Sequence, residues 1–158
     1  MAPERLHDQW LAANQAHLQA SASAIVDLLY RYAETGQPQT ADDVAAALQA
    51  RCADLKIGQG MPTAMDHLAS IFGLTPLERR ILLLCLAFQI APRAGRWWSE
   101  HGIATGVNRA GIAPQGPSFG LMRDLWDDVD WQVFLPTAPL RHWRILEVQQ
   151  PTALLTSP

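Results

Sequence analysis

The chain has 158 residues, 49% of them hydrophobic and 17% charged, with a formal net charge of −3. That apolar share supports a folded core and excludes a disordered chain, and the negative balance excludes a global basic field for nucleic acid or anionic lipid. Lys56 is the one lysine among twelve cations, and it stands between Leu55 and Ile57, so a phosphate-cradling G-x-x-x-x-G-K-S/T loop is ruled out.

Pro3 and Glu4 suit the first turn of a helix. Leu11, Leu18, Ala22, Ile25, Leu29 and Tyr32 then recur at helical spacing, with Leu6, Trp10 and Ala13 on an adjacent stripe. Gly36-Gln37-Pro38 breaks this helix. Thr40 caps a second one, with Asp42 and Asp43 in its first turn and Val44, Leu48, Cys52 and Leu55 on its inner face. A short helix over about 63–72 ends at Gly73 as a C′ glycine. Thr75-Pro76-Leu77-Glu78 is a capping box with proline at the first helical position. The helix it opens, to about Ile90, carries Leu77, Ile81, Leu84, Cys85 and Phe88 on one face and Leu82, Leu83, Leu86 and Ala87 on most of the rest. A helix apolar nearly all round is covered on several sides.

Beyond Pro92 lies a short amphipathic piece with Trp97 and Trp98, then a connection rich in glycine and proline from Gly102 to Pro117. Ser118 caps a further helix with Phe119, Met122, Leu125 and Trp126 inside. Trp131 to Leu135 reads as a helical turn or two. Trp143 to Val148 alternates imperfectly as a strand, and Ala153 to Thr156 can pair back on it. The expected fold is therefore mainly α: a helical hairpin over residues 1–60, then a winged-helix-like domain over 61–158 with a short C-terminal β-hairpin. Ile57 to Pro62 is the expected boundary, because the whole charge excess lies before it. The end at Thr156-Ser157-Pro158, close behind Leu154-Leu155, reads as that of an excised fragment.

Cys52 and Cys85 lack C-x-x-C spacing and read as buried thiols of a reducing compartment. The first four residues lack the basic and apolar regions of a signal peptide, and the longest apolar run, Ile81 to Phe88, is far short of the ~20 residues that span a membrane. A cytoplasmic protein with no membrane partner is expected.

Candidate chemistry is sparse. Gly58-Gln59-Gly60 lacks the third glycine and the preceding strand of a dinucleotide fingerprint. Asp124, Asp127, Asp128 and Asp130 read as a solvated helix end or a metal or partner site, and Val133 and Pro139 stand where an EF-hand starting at Asp128 needs glycine and glutamate. His7, His17, His67, His101 and His142 are too dispersed for a local metal motif, and the strained G-x-S-x-G elbow is absent. A composite enzyme site would rest on His101 and the aspartates alone. Neither catalytic, cofactor-binding nor metal residues are assigned. Adjacent helical residues diverge by ~100°, so Trp97 and Trp98 cannot both face inward. One of them lies at a groove or surface beside Arg93 and Arg96, and these four residues are the candidate partner-binding set, because Trp and Arg dominate interface hot spots. Packing under the long connection is the competing reading.

Two stretches carry a resemblance: Met65 to Cys85, with Phe72-Gly73-Leu74-Thr75-Pro76-Leu77-Glu78-Arg79-Arg80 at its centre, and Ala138 to Val148 with Leu154 to Pro158. They resemble the N-terminal region of bacterial AAA+ ATPases often encoded beside extracellular contractile injection systems. The resemblance covers about residues 64–158. It implies a winged-helix-like N-domain that recruits a protein partner or substrate to an ATPase module beyond residue 158, where ATP and magnesium would bind. It also implies oligomerisation through that ring, and the amphipathic hairpin offers a second route. The connection from Gly102 to Pro117 departs from the family. The alternative is a winged-helix transcriptional regulator, which the residues disfavour: 118–131, where a DNA-reading helix would lie, hold one arginine against four aspartates.

Overall fold

A computed structural model describes residues 3–55, 61–101 and 116–148, with side-chain burial from Arg5 onward. The helices are α1 (Pro3–Thr35), α2 (Ala41–Cys52), α3 (Ala64–Phe72), α4 (Pro76–Ile90), α5 (Pro92–His101), α6 (Phe119–Leu125) and α7 (Pro139–His142), with a 3-10 turn, Trp131–Phe134, between the last two.

The predicted punctuation stands. α1 stops where Gly36 turns left-handed at φ 65° and donates its N–H to the Tyr32 carbonyl at 2.8 Å. Gly73, at φ 63°, closes α3 in the same way. Thr40 and Asp43 form a reciprocal capping box on α2, as do Thr75 and Glu78 on α4. Ser118 caps α6. On α3 the Thr63 hydroxyl accepts from the Asp66 N–H at 2.9 Å, and Asn14 of α1 accepts from the Ala64 N–H. A buried asparagine thus satisfies a free helix-end donor and ties α1 to α3.

α1 packs on α2, α4 and α5. Its Ile25, Val26 and Leu29 meet Val44 of α2, Ile81, Leu84 and Ala87 of α4, Trp97 of α5 and Leu121, Met122 and Leu125 of α6 in one buried cluster. The expected boundary at Ile57 to Pro62 falls mostly outside the described residues, and the helices on either side of it share this cluster. The first turns of α1 extend beyond it, leaving Leu6 and Leu11 exposed; Leu11 was expected on the inner stripe. The backbone of Gln39, just before α2, donates to the Leu125 carbonyl at 2.7 Å, so Gln39 and Trp126 form an isolated parallel bridge that docks the α1–α2 corner on α6.

Glu78 reaches further than its own capping box. It is 2% exposed. Its Oε2 accepts from the Thr75 N–H at 2.9 Å and the Thr75 hydroxyl at 3.0 Å, and its Oε1 accepts from the Leu140 N–H at 3.2 Å. One carboxylate therefore serves the N-terminal ends of two helices, where positive partial charge is concentrated.

The C-terminal β-hairpin is not found. Among the described residues, 143–146 form a turn and bends and 147–148 are irregular. Pro139 at the first position starts α7, and the N–H groups of Ile145 and Leu146 both donate to the Leu140 carbonyl, at 2.9 and 3.0 Å, with Arg144 directly before them at φ 54°. Those donors are spent closing the helix and cannot serve a strand ladder. The stretch from Trp143, expected as a strand, thus begins as the cap of α7. The second expected strand, 153–156, lies outside the described residues.

Candidate functional site

α5 carries the four residues expected to meet a partner, and the structure distributes them. Trp97 is 1% exposed. Its indole N–H donates to the Leu29 carbonyl of α1 at 3.0 Å, and its ring stacks on His101 with centroids 5.4 Å apart. It belongs to the core, and as a contact residue it is corrected. Trp98 is half-buried at the edge of the core, edge-on to Phe88 at 5.8 Å and 6.4 Å from the Trp97 ring. Arg93 donates to Asp27 of α1 at 2.8 Å, and its guanidinium lies 5.2 Å from the Tyr30 ring centroid. Asp27 also meets Arg51 of α2 at 3.3 Å. Arg96 is exposed. The expected divergence of Trp97 and Trp98 is real, and Arg93 is engaged within the chain.

A different surface is built for contact. Leu82, Cys85, Leu86 and Gln89 lie at helical spacing on α4 and floor a groove of about 860 Å3. Phe119 and Met122 of α6 and Trp131 and Phe134 of the 3-10 turn line it, as do Leu146, Glu147 and Val148. Three of its lining residues stand well out of the body: Trp131 is 61% exposed, Val148 40% and Phe119 38%. Phe119 was expected inside; Trp143 is also exposed and leans on Phe72 with centroids 5.6 Å apart. Trp131 is placed at the rim because Asp130 caps the 3-10 turn, its Oδ1 accepting from the Gln132 N–H at 3.0 Å. The sequence did hold a signal for this site. α4 is apolar on more sides than the described chain covers, and the groove is the uncovered side.

Against known families, the model of the winged helix domain, variant, matches residues 6–109. The chain belongs to that family. No curated protein and no solved structure is similar enough to match. The matched stretch runs from α1 through α5, so this winged helix domain includes most of the helical hairpin read from the sequence as an appendage.

Four of this winged helix domain's arginines are held by carboxylates of its own chain. Arg51 and Arg93 share Asp27, Arg79 pairs with Asp66, and Arg80 pairs with Asp128. α6, where a reading helix was placed from the sequence, buries Leu121, Met122 and Leu125. The acidic run beside it resolves into separate tasks: Asp128 holds Arg80, Asp130 caps the 3-10 turn, and Asp124 faces Tyr32 closely enough to help burial raise the phenol's pKa. Among the described residues, no group of three His, Cys, Asp or Glu side chains could hold a metal ion. No described helix is long and apolar enough to cross a membrane. Burial pushes the Cys85 thiol up to about 11, so it is protonated and poorly nucleophilic at neutral pH.

Arg80 makes a sharp test of packing against charge. Its side chain is 8% exposed, it lies 5.3 Å from the Trp126 ring centroid, and its Nε and Nη1 have no hydrogen-bond partner among the described residues. Removing its counter-charge strands a buried cation, whereas replacing the cation with an apolar chain does not. Asp128→Ala is expected to cost about 1–3 kcal/mol, reduced from a fully buried case because Asp128 is partly solvated, and Arg80→Met less than about 1 kcal/mol. Urea unfolding of the two variants reads the order, and a costlier Arg80→Met contradicts it.

Asp66 supplies a pH signature. Burial pushes its carboxyl up, but the Thr63 hydroxyl, the Arg79 guanidinium and the Thr63 backbone together outweigh that and hold it below the usual carboxylate value. A depressed folded pKa contributes stability above the unfolded value of ~3.9 and loses it as pH falls through the folded one. Asp66→Asn is expected to be less stable than wild type by roughly 0.5–1 kcal/mol at pH 6. The two stabilities should converge as the pH falls through the depressed folded pKa, where wild type loses the same interaction. Denaturant titrations at several pH values check this.

Proposed function

We propose that this winged helix domain is a non-catalytic recruiting module of a AAA+ ATPase, binding a protein partner or substrate and passing it to a motor encoded after residue 158. The single observation that carries the recruiting role is the apolar groove on α4, whose rim exposes Trp131, Phe119 and Val148. Aromatic side chains around a concave apolar patch are what protein interfaces bury first. The link to a AAA+ motor is supported by the resemblance of the α3–α4 corner, Phe72 to Arg80, and a contractile injection apparatus is the class of machine that resemblance suggests. On this reading ATP and magnesium bind the motor, the chain itself turns nothing over, and any ring assembly is the motor's.

Two measurements test the reading. The coding sequence past residue 158 should hold a G-x-x-x-x-G-K-S/T loop within about one domain's length, ~150 codons; a stop codon directly after Pro158 overturns the motor link. Fluorescence anisotropy with a labelled DNA duplex at low salt should show no binding. Salt-dependent binding with a slope of about −0.9 per phosphate contacted would favour the regulator instead.

A further inference from the structure

The groove has a chemistry as well as a shape, and the inference here rests on the recruiting role proposed above. Its floor is one face of α4, with Leu82, Cys85, Leu86 and Gln89 at i, i+3, i+4 and i+7, the register on which a second helix lies alongside the first. Its lining is apolar apart from Gln89, Ser118 and Glu147. The Ser118 hydroxyl is committed to the Leu121 N–H at 3.1 Å. Glu147 is exposed and takes part in no ion pair among the described residues. Asp130, directly before Trp131, adds a second carboxylate near the rim. Trp131 presents more than half of its surface to solvent at the mouth. A small-molecule site encloses its aromatics, so an occupant that covers Trp131 must extend past the rim, as a polypeptide does.

We propose that the groove takes an amphipathic helix of a partner protein, its apolar side chains at i, i+4 and i+7 seated on α4 and a Lys or Arg facing Glu147. Helix-in-groove recognition uses such spaced anchors, and a carboxylate at the edge of an apolar cleft selects a cation by disfavouring carboxylates.

The test uses two fluorescein-labelled helical peptides of about 18 residues, long enough to hold helix on binding. They share one leucine face and differ only in carrying lysine or glutamate on the flanking positions. The lysine peptide is expected to bind at least about tenfold more tightly, the scale of one favourable against one repulsive charge contact. Glu147→Gln should remove most of that preference and Glu147→Lys should reverse it, while Asp127→Asn, away from the lining, should leave it unchanged. Leu86→Glu and, on the exposed rim, Trp131→Ala should each weaken the lysine peptide by tenfold or more, with circular dichroism confirming the fold. Equal binding of the two peptides, with Leu86→Glu and Trp131→Ala still disruptive, overturns the cation assignment and leaves the groove as a recruiting site. Binding of neither peptide, or binding indifferent to both groove substitutions, overturns the groove and the recruiting role with it.

Discussion

Replacing Glu78 by alanine is expected to destabilise the domain by about 3–4 kcal/mol, because it leaves the buried Leu140 N–H without an acceptor at about 1–3 kcal/mol, removes the part-buried capping contact to Thr75 at about 1 kcal/mol and opens a cavity at a site 2% exposed. The affected donors are the N–H groups of Thr75 and Leu140. The contrast with glutamine makes the test specific. Glu78→Gln keeps the size and one acceptor oxygen, but it must turn an amide NH2 toward one of two N–H donors. It should fall between wild type and alanine, at about 1.5–2.5 kcal/mol. A domain of this size loses roughly 2–4 °C of Tm per kcal/mol, so thermal and urea unfolding both resolve the order. If Glu78→Gln equals wild type, Glu78 does not bridge α4 and α7.

Trp97→Ala is expected to cost about 3–5 kcal/mol, as for truncation of a large aromatic in a packed core. Trp97→Phe keeps most of the ring and should cost about 1–2 kcal/mol, with the lost donation to the Leu29 carbonyl contributing about 1 kcal/mol of that. Trp98→Ala removes a half-buried ring packed on Phe88 and should cost no more than about 2 kcal/mol. Equilibrium unfolding of the three variants separates the two tryptophans. Equal losses for Trp97→Ala and Trp98→Ala contradict the division of α5 into a fully buried and a half-buried tryptophan.

Trp97 and Trp98 also mark the limit of what could be read in advance. Helical geometry requires that the two diverge, but which one enters the core depends on where α1 lies. The Leu29 carbonyl that receives the indole N–H is 68 residues earlier in the chain. Arg93 was placed correctly on α5, yet its ion pair with Asp27 and its position over Tyr30 are long-range contacts with no local signature. The groove shows the same division. Apolar residues all around α4 announced that something covers each side, and only the positions of α6 and the 3-10 turn show which side the described chain leaves open.

The sequence by itself determined the local grammar of this winged helix domain: the caps at Thr40, Thr75 and Ser118, the stops at Gly36 and Gly73, and the absence of a phosphate loop around Lys56. These depend on interactions within a few residues, so residue type and spacing suffice. Tertiary structure alone decided that Glu78 caps a second helix, that Arg80 and Asp128 meet, that 143–146 close α7 instead of pairing as a strand, and that Trp131 stands at a rim. Each of those turns on whether a backbone donor, a charge or an aromatic face finds its partner within the local segment or across the fold, and that competition is settled by packing.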